Sequence, residues 1–528
     1  MMTHRFLCPE VRMRIPNPLF RATGVVLTTF FATACPAVRV PELMLTTQPP
    51  PRSPDMLPLK VHLMSGDLLV LQQWRELPGD SGLAGNGTRY DFRRHPVGPF
   101  AGPMPRDSIA LLEITRSQTA HPGGSILLGT YTILAGATTI ACLADPKSCF
   151  GSCPTFYLND ADARPVAEGF SASVARALEA TDVDDLGEIE TTGRVLHVTM
   201  RNEALETHNV RSVRLLVAPR PTTGALVRSA DGGYLLATEP TLPTICRAGG
   251  GDCAAIVAER DGREWSTRAD STDLNARDSV DLVFPAAAGP RGLLVAARQS
   301  FVSTYVFYQS LAFAGSRAGD LLADVERHGT AGFPGAWAMM RRLMDIEVLA
   351  GPVGGALRPV GNFGEAGPIA TDQQIVRLPD GTDAAPLLVR LRFARGAWRF
   401  DRLALVRIAP APEPTHLDPA RAERGSVVDT AALARLRDPD RYLVTGPGDS
   451  YRLTFDLPDD ATRLSFFLES RGYYYEWMRP EWLREENPAM LGLIAAAPDE
   501  ALRRMAPGYS RLEPRLEALF WASRFGRR

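Results

Sequence analysis

Residues 389–405 read VRLRFARGAWRFDRLAL. Val389, Leu391 and Phe393 alternate with Arg390 and Arg392. Ala394-Arg395-Gly396 is a turn signal, and Trp398, Phe400, Leu403 and Leu405 resume the apolar spacing. A period of two belongs to a strand with one face in a core, so the stretch predicts a β-hairpin with one buried face. The same alternation recurs at Thr155 to Leu158, Val195 to Met200, Val210 to Val217, Gly233 to Ala237, Val280 to Phe284 and Leu293 to Ala297. Tyr451 to Leu457 and Leu464 to Leu468 read as a further strand pair. Short strands parted by turn residues predict antiparallel sandwiches. The expected class is mainly β and multidomain, with antiparallel β-sandwich-like domains, helical insertions and a helical C-terminus.

A chain of 528 residues is too long for one ordinary core. The expected division is a lipoprotein signal peptide over 1–35, a Pro-rich linker over 36–58 and a small β module over 59–118. An apolar segment follows over 119–145, membrane-associated or buried. A β-sandwich-like domain spans 146–305, a helical segment 306–350, a β domain 351–470 and a C-terminal helical segment 471–528. In the small module, Val61 and Leu63 alternate with His62 and Met64, Gly66-Asp67 turns, and Ile109 to Ile114 reads as a buried strand. Leu321, Leu322, Val325, Met339, Met340, Leu343 and Met344 fall at helical spacings, as do Leu512, Leu516 and Phe520. Pro49-Pro50-Pro51 marks the linker as extended. The 45 glycines and 43 prolines favour strands and turns over long helices. A net charge of −2 gives no general attraction to nucleic acid, so none is expected as a partner.

At the N-terminus Arg12, Arg14 and Arg21 precede an uncharged run from Ala22 to Ala34, and Cys35 follows. A basic region, a short apolar core and small residues before a cleavage point define an export signal. Ala32-Thr33-Ala34-Cys35 resembles the lipobox of bacterial lipoproteins, with alanine at Ala32 where leucine is usual. Cys35 is therefore the expected lipidation site, and Met13 is an alternative start. Plain secretion with an unmodified Cys35 is the competing reading. Pro36 is not the aspartate associated with inner-membrane retention, which points to the outer membrane, facing periplasm or surface. Ser125 to Ala144 carries no charge over 20 residues, the length of a membrane helix. Its threonines and small residues suit a buried helix or strand pair equally.

An exported chain meets an oxidising compartment, so disulfides are expected. Cys246 and Cys253 flank Arg247-Ala248-Gly249-Gly250-Gly251-Asp252, a loop whose glycines make closure easy, and a bridge is predicted there. Cys149 and Cys153 enclose another short loop, with Cys142 competing for either.

Cys149 to Tyr157 (CFGSCPTFY), Glu168-Gly169-Phe170, Leu178 to Asp182 (LEATD) and Arg201 to Thr207 (RNEALET) together resemble a group of uncharacterised exported bacterial proteins. In that group a Cys-Pro segment leads into a tyrosine-bearing strand, and an Asn-Glu-x-x-Glu-Thr segment follows. Asp261-Gly262 and Trp265 are similar to a later element of the group. The resemblance covers about residues 148–310. It departs at Asn159-Asp160-Ala161-Asp162, where the group's strand ends in Asp-Gly. It implies a β-sandwich in an envelope protein and no particular activity.

Cys149-x-x-x-Cys153-Pro154 is also similar to the copper motif of Sco-type thioredoxin-fold proteins. Two thiolates and a histidine suit Cu(I), which makes Cys149 and Cys153 metal candidates. No βαβ unit follows, and no motif places His197 or His208. Asn159, Asp160 and Asp162, or Asp182, Asp184 and Asp185, lack the glycine and closing glutamate of a calcium loop. Gly169-Phe170-Ser171-Ala172-Ser173 is a nucleophile elbow without its final glycine. Tyr473, Tyr474, Trp477 and Trp482 are candidate binding residues for a sugar or partner protein, because aromatic rings stack and anchor. Read at helical spacing, Tyr473 and Trp477 share a face that packs into a core. Asn202, Glu203 and Glu206 read as strand-end residues satisfying backbone amides.

The expectation is a lipid-anchored cell-envelope protein with a structural or binding role, held to the membrane by its lipid. An envelope protein or glycan is its expected partner, and no cofactor or catalytic residue is expected. An envelope thiol or copper-binding protein is the second reading and a hydrolase the third.

Overall fold

A computed structural model describes residues 38–48, 58–120, 153–158, 165–187, 189, 193–249, 251–364, 366–379, 385–458 and 464–522. Cys35, Cys142, Cys149, the Ser125 to Ala144 run and the Asn159 to Asp162 turn lie outside them.

Among the described residues the chain is mainly β, with several antiparallel sheets, inserted helices and a helical C-terminus. The largest sheet has eleven strands. Its path runs Thr415–Leu417, Glu206–Pro219, Leu464–Met478, Val38–Thr46, Ile109–Ala120, Leu59–Leu63, Leu68–Glu76, Gly82–Tyr90 and Pro96–Pro105. Leu443–Thr445 also pairs with Glu206–Pro219, and Ala180–Asp185 with Leu464–Met478. A six-stranded sheet runs Val427–Val428, Arg421–Arg424, Ser450–Asp456, Val195–Arg201, Thr155–Tyr157 and Ala167–Glu168. A second runs Gly251–Asp252, Ile245–Ala248, Arg277–Phe284, Leu387–Ala394, Ile346–Pro352 and Arg358–Phe363. Ala225–Ser229, Tyr234–Thr241, Trp398–Pro410, Arg291–Gln299 and Asp372–Arg377 close a barrel.

The predicted hairpin at 389–405 is a corner between two sheets. Leu387–Ala394 already has Arg277–Phe284 on one edge and Ile346–Pro352 on the other. Trp398–Pro410 is likewise flanked by Tyr234–Thr241 and Arg291–Gln299. A strand has only two hydrogen-bonding edges, so the two cannot pair with each other. The tight turn survives: Ala397 N donates to Ala394 O at 3.0 Å, with Gly396 at a φ of 80° that a side chain would resist. The predicted pair at 451–468 fails in the same way, its strands lying in different sheets.

Two further expectations change. Val38–Thr46, placed in the Pro-rich linker, is a strand paired along its length with Ile109–Ala120. Tyr473 to Trp477, read at helical spacing, lies in the Leu464–Met478 strand, and the helical C-terminus begins at Pro480. The stretches drawn at 59–118, 146–305, 351–470 and 471–528 do not stay apart, because all four contribute strands to the eleven-stranded sheet.

The expected helical insertion is present as α1 (Val302–Ala314), α2 (Ala318–His328) and α3 (Pro334–Met344). α1 is apolar on most sides and buried. Further helices are α4 (Thr430–Arg437), α5 (Pro480–Glu485), α6 (Pro488–Ala496) and α7 (Pro498–Ala522). Asn487 caps α6 by accepting from Met490 N at 3.1 Å, and proline opens α3, α5 and α6. Leu502, Met505, Tyr509, Leu512, Leu516 and Phe520 bury one face of α7, and the Phe520 ring lies 4.4 Å from that of Phe301. A Cβ on Gly335 of α3 would collide with the Ile494 carbonyl of α6, so that glycine permits the close approach. Arg94 Nη2 bonds Asp320 Oδ1 at 2.7 Å, tying the small module to α2. No described helix is long and apolar enough to cross a membrane.

Candidate functional site

The site grows from the register of two strands. Glu206–Pro219 and Leu464–Met478 pair antiparallel with Glu206 opposite Glu476, Thr207 opposite Tyr475 and His208 opposite Tyr474. Directly opposed side chains share a face. Glu206, His208, Tyr474 and Glu476 thus project to one side, and Thr207, Tyr473, Tyr475 and Trp477 to the other.

α1 covers the first face. The Tyr308 hydroxyl lies 3.2 Å from Glu206 Oε1 and also hydrogen-bonds Glu476. His208 Nε2 is 3.0 Å from Glu206 Oε2, and Arg479 Nη2 donates to Glu476 Oε2 at 2.8 Å. The Arg479 guanidinium sits 4.8 Å from the Tyr308 ring centroid and 5.4 Å from that of Trp482, a cation between two aromatic faces. All of these groups are buried. Burial first, and then the neighbouring Glu206 charge, pushes the Glu476 carboxyl well above the usual carboxylate range. Two adjoining carboxyls in a dry site resist ionising together.

Beside Glu206 opens a small cavity of about 70 Å³. Ser303, Thr304, Phe307 and Tyr308 reach it from one face of α1, and Trp337, Met340 and Met344 from one face of α3. Glu206 and Tyr474 line it from the sheet, Gln299 from the end of a barrel strand, and Cys153, Glu168 and Ser171 from the opposite side. Glu168 is buried and its Oε2 accepts from Ile369 N at 2.7 Å. A Cβ on Gly367 would fall on that carboxylate, so the glycine makes its seat. Gln299 is buried; its Oε1 accepts from Ser303 Oγ at 2.8 Å, while its Nε2 has no hydrogen-bond partner.

The second face carries a tyrosine cluster. The Tyr473 ring is 5.3 Å from Tyr475 and 5.2 Å from Tyr442, edge to face. Tyr475 donates to Glu326 Oε2 at 3.2 Å, and burial raises Glu326 to about 7.

Of the predicted aromatic site, only Tyr474 reaches the cavity. Tyr473 and Trp482 are core residues, and Trp477, half-buried, donates to Thr207 Oγ1 at 2.9 Å. Cys246 and Cys253 are bridged as predicted. Cys153 is buried on the cavity wall. Asp182, Asp184 and Asp185 lie in a strand; Asp185 accepts from Arg260 at 3.2 Å and from Gln373 at 3.0 Å. No described group of three or more His, Cys, Asp or Glu side chains is arranged to hold a metal ion. At Gly169 to Ser173 the left-handed residue is Phe170, with φ at 38°, and the Ser171 carbonyl accepts from the Tyr474 hydroxyl at 2.9 Å. Asn202 satisfies backbone, donating to the carbonyls of Glu206 and Thr445 at 2.9 and 3.2 Å. Glu203 instead accepts from the Tyr157 hydroxyl at 3.0 Å.

No family model and no curated protein matches the chain. Among solved structures it is similar to the secreted serine protease VesC from Vibrio cholerae, at 8% identity and a TM-score of 0.15, over 62% of this chain and 63% of that one. It is also similar to an uncharacterized protein from Listeria monocytogenes EGD-e, at 10% identity and a TM-score of 0.14, over 69% of this chain and 30% of that one. The chain thus spans less than two thirds of either structure's length. At those TM-scores neither likeness bears on fold or chemistry.

Sequence reasoning missed Gln299, Ser303, Tyr308 and Trp337. The available signal was in α1, whose apolar run is interrupted by Ser303, Thr304 and Tyr308, polar groups that a buried helix must satisfy somewhere.

Proposed function

We propose that this is a non-catalytic binding protein of the bacterial cell envelope, tethered through a lipid on Cys35, which holds a small ligand in the cavity between α1, α3 and the large sheet. The observation that carries the reading is the cavity itself. Its wall is mostly aromatic and aliphatic, with a few convergent polar groups from several elements, as small-molecule sites are built. The basic stretch, apolar run and Ala-Thr-Ala-Cys sequence ending at Cys35 support the anchor. The Cys246–Cys253 bridge fits an oxidising compartment.

Protein extracted from its own membranes and denatured should release a small molecule in about equimolar amount. Thr304→Phe, which fills the cavity, should carry none. Wild-type protein that releases nothing, or a variant that releases as much, refutes the binding role. Mass spectrometry of the same sample should find a chain starting at an acylated Cys35. An intact, unmodified first 34 residues refutes the anchor.

A further inference from the structure

We propose that the mouth of the barrel binds a neutral polyhydroxylated ligand, a sugar or short oligosaccharide, at a second site beyond the cavity beside Glu206. A cleft of about 610 Å³ opens there. Ligand sites occupy about 300–1,000 Å³, and barrel mouths are among the places where they form. Three barrel strands end at the cleft: Arg291–Gln299 brings Arg298, Trp398–Pro410 brings Asp401, and Thr371 precedes Asp372–Arg377. α7 covers it with Glu517 and the half-buried Trp521. Among the described residues its wall shares Ile369 alone with the other cavity.

An irregularity in the barrel aims one of these groups. Along Arg291–Gln299, Ala296 lies opposite Arg402 and Ala297 opposite Phe400, so Asp401 is the extra residue of a β-bulge. Bulges at barrel rims turn a side chain out of the strand's regular alternation. The Asp401 carboxylate is buried and held by the Asp261 and Gly262 amides, 3.2 and 3.1 Å from its Oδ1. Gly262 takes a φ of 81° in that turn, and Trp265, just beyond it, exchanges backbone hydrogen bonds with Phe400. The Asp261-Gly262 and Trp265 element of the sequence thus fixes the bulge.

The charges of the wall are answered within the protein, and that decides the ligand's chemistry. Arg298 bonds Glu264 at 2.5 and 2.6 Å and also Glu517, and Glu517 meets Arg399 at 2.6 Å. Arg260 bonds Asp185 at 3.2 Å and the Thr371 carbonyl at 3.0 Å. Asp261 accepts from Arg263 at 2.7 Å. An ion of either sign would have to displace one of these partners. A paired carboxylate keeps further lone pairs, and a paired guanidinium further N–H groups. A hydroxyl donates to the one and accepts from the other through a single oxygen, so neighbouring hydroxyls match such a network without unpairing it. Trp521 adds a ring face for the apolar C–H side of a sugar.

The test probes the full chain, fluorescently labelled, against an array of neutral, acidic and amino-sugar oligosaccharides, and measures the best neutral binder by calorimetry. At least one neutral glycan should bind, and its affinity should change by less than about twofold between low and high salt. Trp521→Ala should weaken it about tenfold. Asp401→Asn, with one acceptor oxygen fewer, should weaken it at least as much. Trp521→Ala, near the end of a helix, keeps the test decisive if Asp401→Asn fails to fold. Binding of no glycan, binding confined to acidic or amino sugars, or a Trp521→Ala variant that binds as well as the wild type overturns the proposal.

Discussion

Glu206 and Glu476 face each other across adjacent antiparallel strands, two buried acids in direct register. Glu476 has an arginine against it, Arg479 at 2.8 Å. The pairing sets an asymmetry. A carboxyl already pushed well above its usual range can take a proton when its partner is lost, whereas a guanidinium cannot give one up. Glu476→Ala should therefore cost about 3–5 kcal/mol, by stranding Arg479. Arg479→Met should cost clearly less. Urea unfolding of the two variants at neutral pH measures the difference, and equal or reversed costs refute the argument.

Glu326 gives stability a pH dependence. Its folded pKa of about 7, raised by burial, lies above the ordinary value of 4.5. The folded state therefore holds this proton more tightly than the unfolded chain. The stabilisation is full below the unfolded value and is lost as pH rises through about 7. Glu485, also raised to about 7 by burial, acts in the same sense. Tm should fall between about pH 5 and 8, and Glu326→Gln should flatten part of that slope, on the order of 1–2 kcal/mol after solvent screening. An unchanged slope in the variant contradicts the assignment.

Gly472 lies where the large sheet meets the Phe170 turn. A Cβ there would strike the Asn209 carbonyl and come within 2.9 Å of the Phe170 ring. Gly472→Ala should destabilise by about 1–3 kcal/mol, read from the denaturant midpoint. An ordinary surface effect, within about 0.5 kcal/mol, would show that the strands part more easily than their packing implies.

The Cys246–Cys253 bridge closes a loop with a sequence separation of 7. Such a closure limits the unfolded chain and contributes about 2–3 kcal/mol. The Cys246→Ser, Cys253→Ser double variant should lose that much in urea unfolding, and reductant should then have no further effect through this pair. An unchanged midpoint would place the loop outside the cooperative unit.

Much of the architecture was legible from local pattern. Alternation located Val195–Arg201, Arg277–Phe284, Arg291–Gln299 and both strands of 387–410. Four-residue spacing located α7 through Leu512, Leu516 and Phe520. Glycines between cysteines located the bridge. Each of these is a short-range property: which way a side chain points, or how easily a short loop closes.

Partnership was not legible. Leu387–Ala394 and Trp398–Pro410 look like a hairpin because they are neighbours with a turn between them, yet each edge is filled by a strand from elsewhere. Tyr473 to Trp477 suits a helix by spacing and a strand by pairing, and only the Glu206–Pro219 strand decides for the latter. The cavity belongs wholly to this second kind of information. Glu168, Glu206, Gln299, Tyr308, Trp337 and Tyr474 come from six separate elements or turns, and no local periodicity records that they meet. The sequence by itself determined many of the strands, the C-terminal helix and the 246–253 closure, because local sterics and side-chain alternation act within a few residues. Tertiary structure alone decided which edges pair and which side chains share a void, because those depend on contacts between segments hundreds of residues apart.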